Sequence, residues 1–283
     1  FVSGEKDLIA PLDIEPYLIA FLRATKFYPE SAFQKICNMY RFRYNNPKYG
    51  ANLIPSQDRN VFCHSILSAL PYRDQHGRRI LIAEVGKKWN VREVSLTEIA
   101  RGVMLIVDAA IMEPKTQISG AIVIIDFEGL SIQHVWQFSP SVAKIILEWV
   151  QECLPCRLKA VHIINQPYLF NMLFAIFKPF IDEKLRNRIF FHGSNTSSLL
   201  QHVDAKSIPM KYGGDMKIDT DHGPELHKLL CQYSELYESE WVFANLAVSH
   251  FIIWKCCYFF LFHFTCISVF NIKKIVYPVL FHK

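Results

Sequence analysis

Four sets of side chains in this 283-residue sequence have types and spacings that could do chemistry. Cys153 and Cys156 form a C-x-x-C, the spacing of a zinc-ligand pair or a redox dithiol, but no second pair stands at a useful distance. Asp126 and Glu128 are two carboxylates two residues apart. Such pairs do acid–base work in hydrolases, yet their place at the end of an apolar run suits a structural turn. His162, His192 and His202 have no nucleophile or metal partner at a recognisable spacing. The last set is cationic. Arg157 and Lys159 stand two apart at an edge-like strand start, which points both to one face. Lys184 and Arg188 are one helical turn apart and share a face, with Arg186 pointing elsewhere. The sequence has no G-x-S-x-G, P-loop or G-x-G-x-x-G, so catalysis has no foothold and an enzyme is not expected.

The elements that must position these residues come from the hydrophobic pattern. Gly120–Leu130, GAIVIIDFEGL, is a β-branched run closed by a turn, the pattern of a strand buried on both faces. Val161–Phe180 is a short strand that breaks at Asn165-Gln166-Pro167 and restarts as a helix with apolar residues on much of its circumference. Protein, membrane or a bound apolar ligand must cover such a helix. Residues 14–44 have helical spacing, followed by a polar linker to Gln57. Strands are expected at 79–86, 158–164 and 188–191, and helices from Ser95 to Met112, from Pro140, and from Pro224 to about Trp241. This alternation implies a mostly parallel sheet with helices packed on it.

Composition sets the outer bounds. Hydrophobic residues are 51% of the chain, enough for a large core, and the net charge of +5 is too weak to argue for nucleic acid. Eight scattered cysteines do not resemble a secreted disulfide framework, so a cytoplasmic location is expected. The first residue is Phe1, which leads to the expectation of a truncated start.

Phe21–Phe27, FLRATKF, is similar to the FLRAR-x-F signature in the helical leader of CRAL-TRIO proteins. IIDFEGL (124–130) resembles that family's central strand, and HIINQPYLFNMLFAIFKPF (162–180) its gate helix. FHGSNTSSLLQHVD (191–204) with IPMKYGG (208–214) resembles its closing segment. The order of these blocks, from about Asp13 to Tyr237, looks like the branch that includes α-tocopherol transfer protein, retinaldehyde-binding protein and the clavesins. The resemblance implies an α/β fold: a mostly parallel sheet flanked by helices, a mobile gate helix over an apolar cavity, and a small helical N-terminal subdomain. The expected divisions are 1–65, 66–215, 216–244 and 245–283.

By the same resemblance, Ala100, Val103, Val107, Ala121, Val123, Ile125, Val150, Leu158, Val161, Phe170, Phe174 and Ile176 face a single tocopherol-, retinoid- or phospholipid-like molecule. Val103 and Val107 stand where the tocopherol binder has serines, which favours a less polar ligand. Arg23, Arg157, Lys159, Lys184 and Arg188 correspond to contacts with phosphoinositide phosphates, where converging cations give charge-assisted hydrogen bonds. The implied function is transfer of a lipid between membranes by a monomer that docks peripherally. The alternative is a phosphoinositide-binding recruitment module without transfer. No cofactor is expected beyond the lipid itself, and no nucleic acid partner.

The tail departs from that family pattern. Residues 251–272 are almost wholly apolar, flanked by Lys273 and Lys274, with Lys255 and His263 against membrane insertion. Translated non-coding sequence, a transmembrane anchor and a packed extension all stay open. Ending the chain at Trp241 is expected to reduce aggregation without unfolding the domain, as read by sedimentation and thermal unfolding of both lengths. Unfolding on truncation would make the tail part of the fold.

Overall fold

The computed structural model describes residues 15–234 and Tyr237, so the start of the chain and the 245–283 tail, with its 251–272 segment, lie outside the described residues. Strands β1 (Leu67–Ala69), β2 (Arg79–Glu84), β3 (Ala121–Asp126), β4 (Leu158–Ile164) and β5 (Ile189–Gly193) form one sheet in that spatial order. β1 runs antiparallel to β2, and every other pair is parallel. At three residues, β1 is too short to show a period and was not foreseen in the sequence.

Helices α1 (Glu15–Ala24) and α2 (Pro29–Asn45), with the single turns α3 (Pro47–Gly50) and α4 (Asn60–Cys63), precede the sheet. The expected linker, ending at Gln57, therefore contains one helical turn, α3. α5 (Leu96–Met112) and α6 (Pro114–Ser119) lead from β2 to β3. A capping box starts α5: Ser95 Oγ accepts from the Glu98 amide at 3.2 Å, and the Glu98 carboxylate accepts from the Ser95 amide at 2.7 Å. α7 (Ile132–Val135) and α8 (Pro140–Glu148) precede β4. Ser139 caps α8 with Pro140 at its first turn, as the sequence predicts. α8 then runs into a π-helical turn over Trp149–Cys153. α9 (Phe170–Phe177) and α10 (Glu183–Arg186) precede β5, and α11 (Thr196–Leu200) and α12 (Gly223–Cys231) follow it.

The two faces of the sheet differ in a way that decides everything downstream. On the back, Ile80, Ile82, Ile122 and Ile124 are at most 2% exposed, packed with Leu199, Val203, Ile208 and Tyr212. On the front, Val123 and Ile125 of the same β3 are only half-buried although helices cover them. Side chains accessible beneath a cover face a void.

The leader is joined to this layer by buried polar contacts. Arg43 of α2 pairs with Asp108 of α5 at 3.0 Å, each side chain less than a tenth exposed. Burial pushes the Asp108 carboxyl up and the Arg43 charge opposes it. Beside them Tyr17 donates to Tyr40 at 3.2 Å, and burial raises the Tyr40 phenol to about 12.

Replacing Arg43 with Met leaves Asp108 buried without its cation, which should cost about 3–5 kcal/mol in urea unfolding. Arg43→Met with Asp108→Leu should recover part of that loss. A single-variant cost below about 1 kcal/mol would show that the pair does not hold the leader down.

Candidate functional site

The void in front of the sheet is a cavity of about 360 Å³. β2 and β3 supply its floor through Leu81, Ala83, Val123 and Ile125, and β4 adds Leu158, Val161 and Ile163. α5 forms one wall with Ala100, Val103 and Val107, spaced by three and four residues and so on one stripe. The π-helical turn adds Trp149 and Val150. The extra residue in a π turn rotates the side chains that follow it. That rotation lets Val150 line the cavity while Cys153 stays buried against the leader.

Ten of the twelve expected lining residues stand in this wall: Ala100, Val103, Val107, Val123, Ile125, Val150, Leu158, Val161, Phe170 and Phe174. Ala121 and Ile176 do not. Ala121 is the first residue of β3, 5% exposed, beside an irregularity in the pairing with β4. On α9 the lining stripe is Phe170, Leu173, Phe174 and Phe177, and Ile176 falls beside it, packed on neighbouring apolar groups.

α9 is the roof. The expected helix from Pro167 begins only at Phe170, because Pro167–Leu169 form a turn. Asn165, at the end of β4, has φ +52°, a left-handed conformation that strains a residue with a Cβ. It is held there on three sides. Its amide donates to the Gly193 carbonyl at 2.6 Å, its side chain donates to Asp126 Oδ1 at 3.0 Å, and Gln166 Oε1 accepts from the Gly193 amide at 3.0 Å. Asp126, 3% exposed, also accepts from the Glu128 amide at 2.9 Å and from the Tyr212 hydroxyl at 3.0 Å. The expected structural turn at 126–128 is thus present, and it ties the strand end to the hinge. At the other end of α9, Lys178–Phe180 form a 3-10 turn containing Pro179. The outer side of the roof exposes apolar groups too: Tyr168, in the turn before α9, is 90% exposed and Met172 53%.

The cations do not gather as the sequence spacing implied. β4 lies inside the sheet, so Arg157 and Lys159 are not at an edge. Ala121 pairs with Leu158 and Ile122 with Ala160, so Lys159 is the extra residue of a bulge. That breaks the two-residue period and lets Leu158 join Val161 in the cavity wall. α10 ends at Arg186, so Lys184 and Arg188 do not share a helical face; Arg188 lies at the start of β5 and donates to the Leu158 carbonyl. Lys184 is exposed and its charge acts on Lys35. Arg23 donates to Gln117 Oε1, while Arg157 reaches the Gln117 carbonyl at 3.5 Å. Burial, then the like charges of Arg157, Arg78, Arg188 and Lys26, hold Lys159 below the usual lysine range.

The histidines, unpartnered by spacing, are partners of one another. His162 Nδ1 and His192 Nε2 are 3.0 Å apart, His192 Nδ1 is 2.9 Å from Ser198 Oγ, and the His202 ring lies 5.4 and 5.6 Å from the other two. Burial and neighbouring histidines lower His162 to about 3, so it stays neutral. Strand pairing brings β4 beside β5, a long-range event that local spacing does not report. Among the described residues no group of three His, Cys, Asp or Glu could hold a metal ion. No helix among them is long and apolar enough to cross a membrane.

Comparison with known proteins agrees with this geometry. The family model described as CRAL/TRIO domain matches residues 64–214. The mouse (Mus musculus) "Alpha-tocopherol transfer protein-like" is 36% identical over 200 residues, 71% of this chain and 58% of its own length. Clavesin-1 of Rattus norvegicus is 31% identical over 204 residues, 71% of this chain and 57% of its own. The chain therefore spans under three-fifths of the length of these relatives. The crystal structure of Sfh5 aligns over 78% of the chain and 81% of its own at 16% identity, with a TM-score of 0.46, too loose a superposition to argue from.

The C-x-x-C gives the test generated by this geometry. Burial raises Cys153 to about 12 and Cys156 to about 11, while Cys63 is exposed. The reactive thiolate of the first two is therefore scarce below about pH 11. In the folded protein at pH 8, iodoacetamide should label Cys63 roughly a hundredfold faster than either, as read by peptide mass spectrometry. Equal labelling would show the pair to be an accessible dithiol.

Proposed function

The chain belongs to the CRAL/TRIO domain family, and from that premise we propose that it is a lipid carrier and not an enzyme. It holds one hydrophobic lipid in the front cavity and exchanges it at membranes. The observation that carries this reading is the alternation along β3, where Ile122 and Ile124 are packed solid while Val123 and Ile125 face a covered void. A packed fold has no use for such a void, since empty apolar space costs stability.

The wall accounts for the chemistry of the cargo. Its side chains are aliphatic and aromatic, with the indole of Trp89 already donating to the Val94 carbonyl at 2.8 Å. Ser68 touches the same region, but β pairing sets it opposite Ile82, whose side chain belongs to the back layer. A polar group buried in this cavity would forfeit its hydrogen bonds at a cost of roughly 2–7 kcal/mol. Hydrocarbon gains instead: a lipid burying on the order of 400 Å² gains roughly 10 kcal/mol before the cost of association. The cargo is a lipid with a long apolar body whose polar end, if any, sits at the mouth.

Release follows from the two ends of α9. Asn165–Pro167 and Lys178–Phe180 are the places where backbone rotation can swing the helix as a unit. Tyr168 and Met172 on its outer side would enter the interfacial zone of a bilayer when the roof opens. Arg157, Lys159 and Arg188 at the starts of β4 and β5, with Arg23 at Gln117 and the separate, exposed Lys184, would add attraction to anionic phosphoinositide headgroups.

Native mass spectrometry after expression in cells should find one extractable lipid per protein. Val123→Asp should lose it while remaining folded, because an unpaired carboxylate then faces hydrocarbon. A folded wild-type protein without lipid, still bound to phosphoinositide vesicles, would favour the recruitment module. Retained lipid at full stoichiometry in Val123→Asp would overturn the assigned cavity.

A further inference from the structure

Behind the hinge of the roof lies a buried titratable group that the carrier reading leaves without a task. His162 of β4 and His192 of β5 stand on the back of the sheet, 2% and 7% exposed. His162 Nδ1 and His192 Nε2 are 3.0 Å apart, and His192 Nδ1 reaches Ser198 Oγ of α11 at 2.9 Å. The Phe190 ring packs on both His162 and His202, at 5.3 and 4.5 Å.

His192 occupies a particular place in its strand. Phe191 pairs with Ile163 and Gly193 with Ile164, so His192 is the extra residue of a bulge, and β5 is an edge of the sheet. The residue before it packs on the roof: the Phe191 ring lies 6.0 Å from Phe170 and 5.3 Å from Phe174. The residue after it holds the hinge: the Gly193 carbonyl accepts from the Asn165 amide, and the Gly193 amide donates to Gln166 Oε1. One bulged histidine thus stands between the two contacts by which β5 keeps α9 closed.

We propose that the His162–His192 pair is a proton-operated latch on the roof, through which acid opens the carrier and releases its cargo. The release rests on the carrier reading above; the latch itself does not. At 3.0 Å one ring nitrogen donates and the other accepts. A proton on the accepting nitrogen leaves two N–H groups facing each other in a buried space. Among the described residues nothing anionic meets that charge: no carboxylate oxygen lies within 4.0 Å of a nitrogen of His162, His192 or His202. The carboxylates on the surrounding segments are engaged elsewhere. Asp204 accepts from the Lys206 amide, Asp74 from the His76 and Arg78 amides, and Asp126 from Tyr212 and Asn165. The turn before β2 brings a cation instead, Arg78, and Gln75 of that turn donates to the His202 carbonyl at 2.8 Å.

Burial, then the charges of His192, His202 and Arg78, lower His162 to about 3. Burial, then His202, also hold His192 below its ordinary value. The closed pair therefore refuses protons, while in an opened roof each imidazole returns toward about 6.5. Closure is fully favoured above about pH 6.5 and weakens as the pH falls below it. For His162 alone, the ratio of open to closed rises about thirtyfold between about pH 8 and pH 5.

The test follows hydrogen exchange in the purified full chain at about pH 8 and pH 5, corrected for the intrinsic pH dependence of exchange. Protection of Phe170–Phe177 should fall about thirtyfold or more at the lower pH, while β2 and β3 keep theirs. Loaded protein should also pass its extractable lipid faster at that pH to phosphatidylcholine vesicles, which carry no net charge. His162→Asn with His192→Gln keeps neutral amides near the ring nitrogens and should cut the change to under about threefold. The proposal is overturned if wild-type protection in α9 does not respond to pH, whether or not the double variant folds. It is overturned equally if the folded double variant keeps the wild-type response. Loss of protection in β2 and β3 together with α9 would be unfolding of the whole domain and would also overturn it. Acid opening of α9 without lipid transfer would uphold the latch and refute the carrier reading instead.

Discussion

The buried carboxyl of Asp126 is the joint on which the architecture depends. A carboxyl this enclosed must find donors, and it finds them in the Glu128 amide, the Asn165 side chain and the Tyr212 hydroxyl. Those three donors belong to the turn after the central strand, the hinge of the roof helix and the segment that closes the back of the sheet. Burial, with the charges of Asp126 and Glu84, pushes the Tyr212 phenol far up, so the hydroxyl remains a donor. One acceptor thus fixes the front hinge relative to the back layer.

That joint works because the back layer is rigid. Ile80, Ile82, Ile122 and Ile124 fill their side completely, and Glu84 pins the closing segment beside them. Burial alone would raise Glu84, but hydrogen bonds from Lys211, Lys88 and Thr220 outweigh it and hold the carboxyl below its ordinary value. A sheet clamped on one side can keep its other side apart from its cover. The front layer then need not collapse when it is empty.

How much of this was legible in the chain depends on the range of the interaction concerned. β3 and β4 announced themselves because a β-branched run closed by Asp126-Phe127-Glu128-Gly129 or Asn165-Gln166-Pro167 is a local signal. The cavity wall was readable through resemblance for the same stretches. Lys159 and Arg188 were misplaced because a bulge and an early helix stop, both decided by neighbouring strands, break the local period. The π turn at Trp149–Cys153 and the His162–His192–His202 group carry no signal at fixed spacing.

The covered void has a consequence for the life of the molecule. Whatever fills it binds the folded chain and not the unfolded one, so occupancy adds directly to folding stability. An empty copy is the one that opens more often to proteases, and small differences in stability change abundance several-fold in a cell. On the carrier reading, supply of the occupant then sets how long each copy survives, and the amount of protein becomes a record of the amount of cargo.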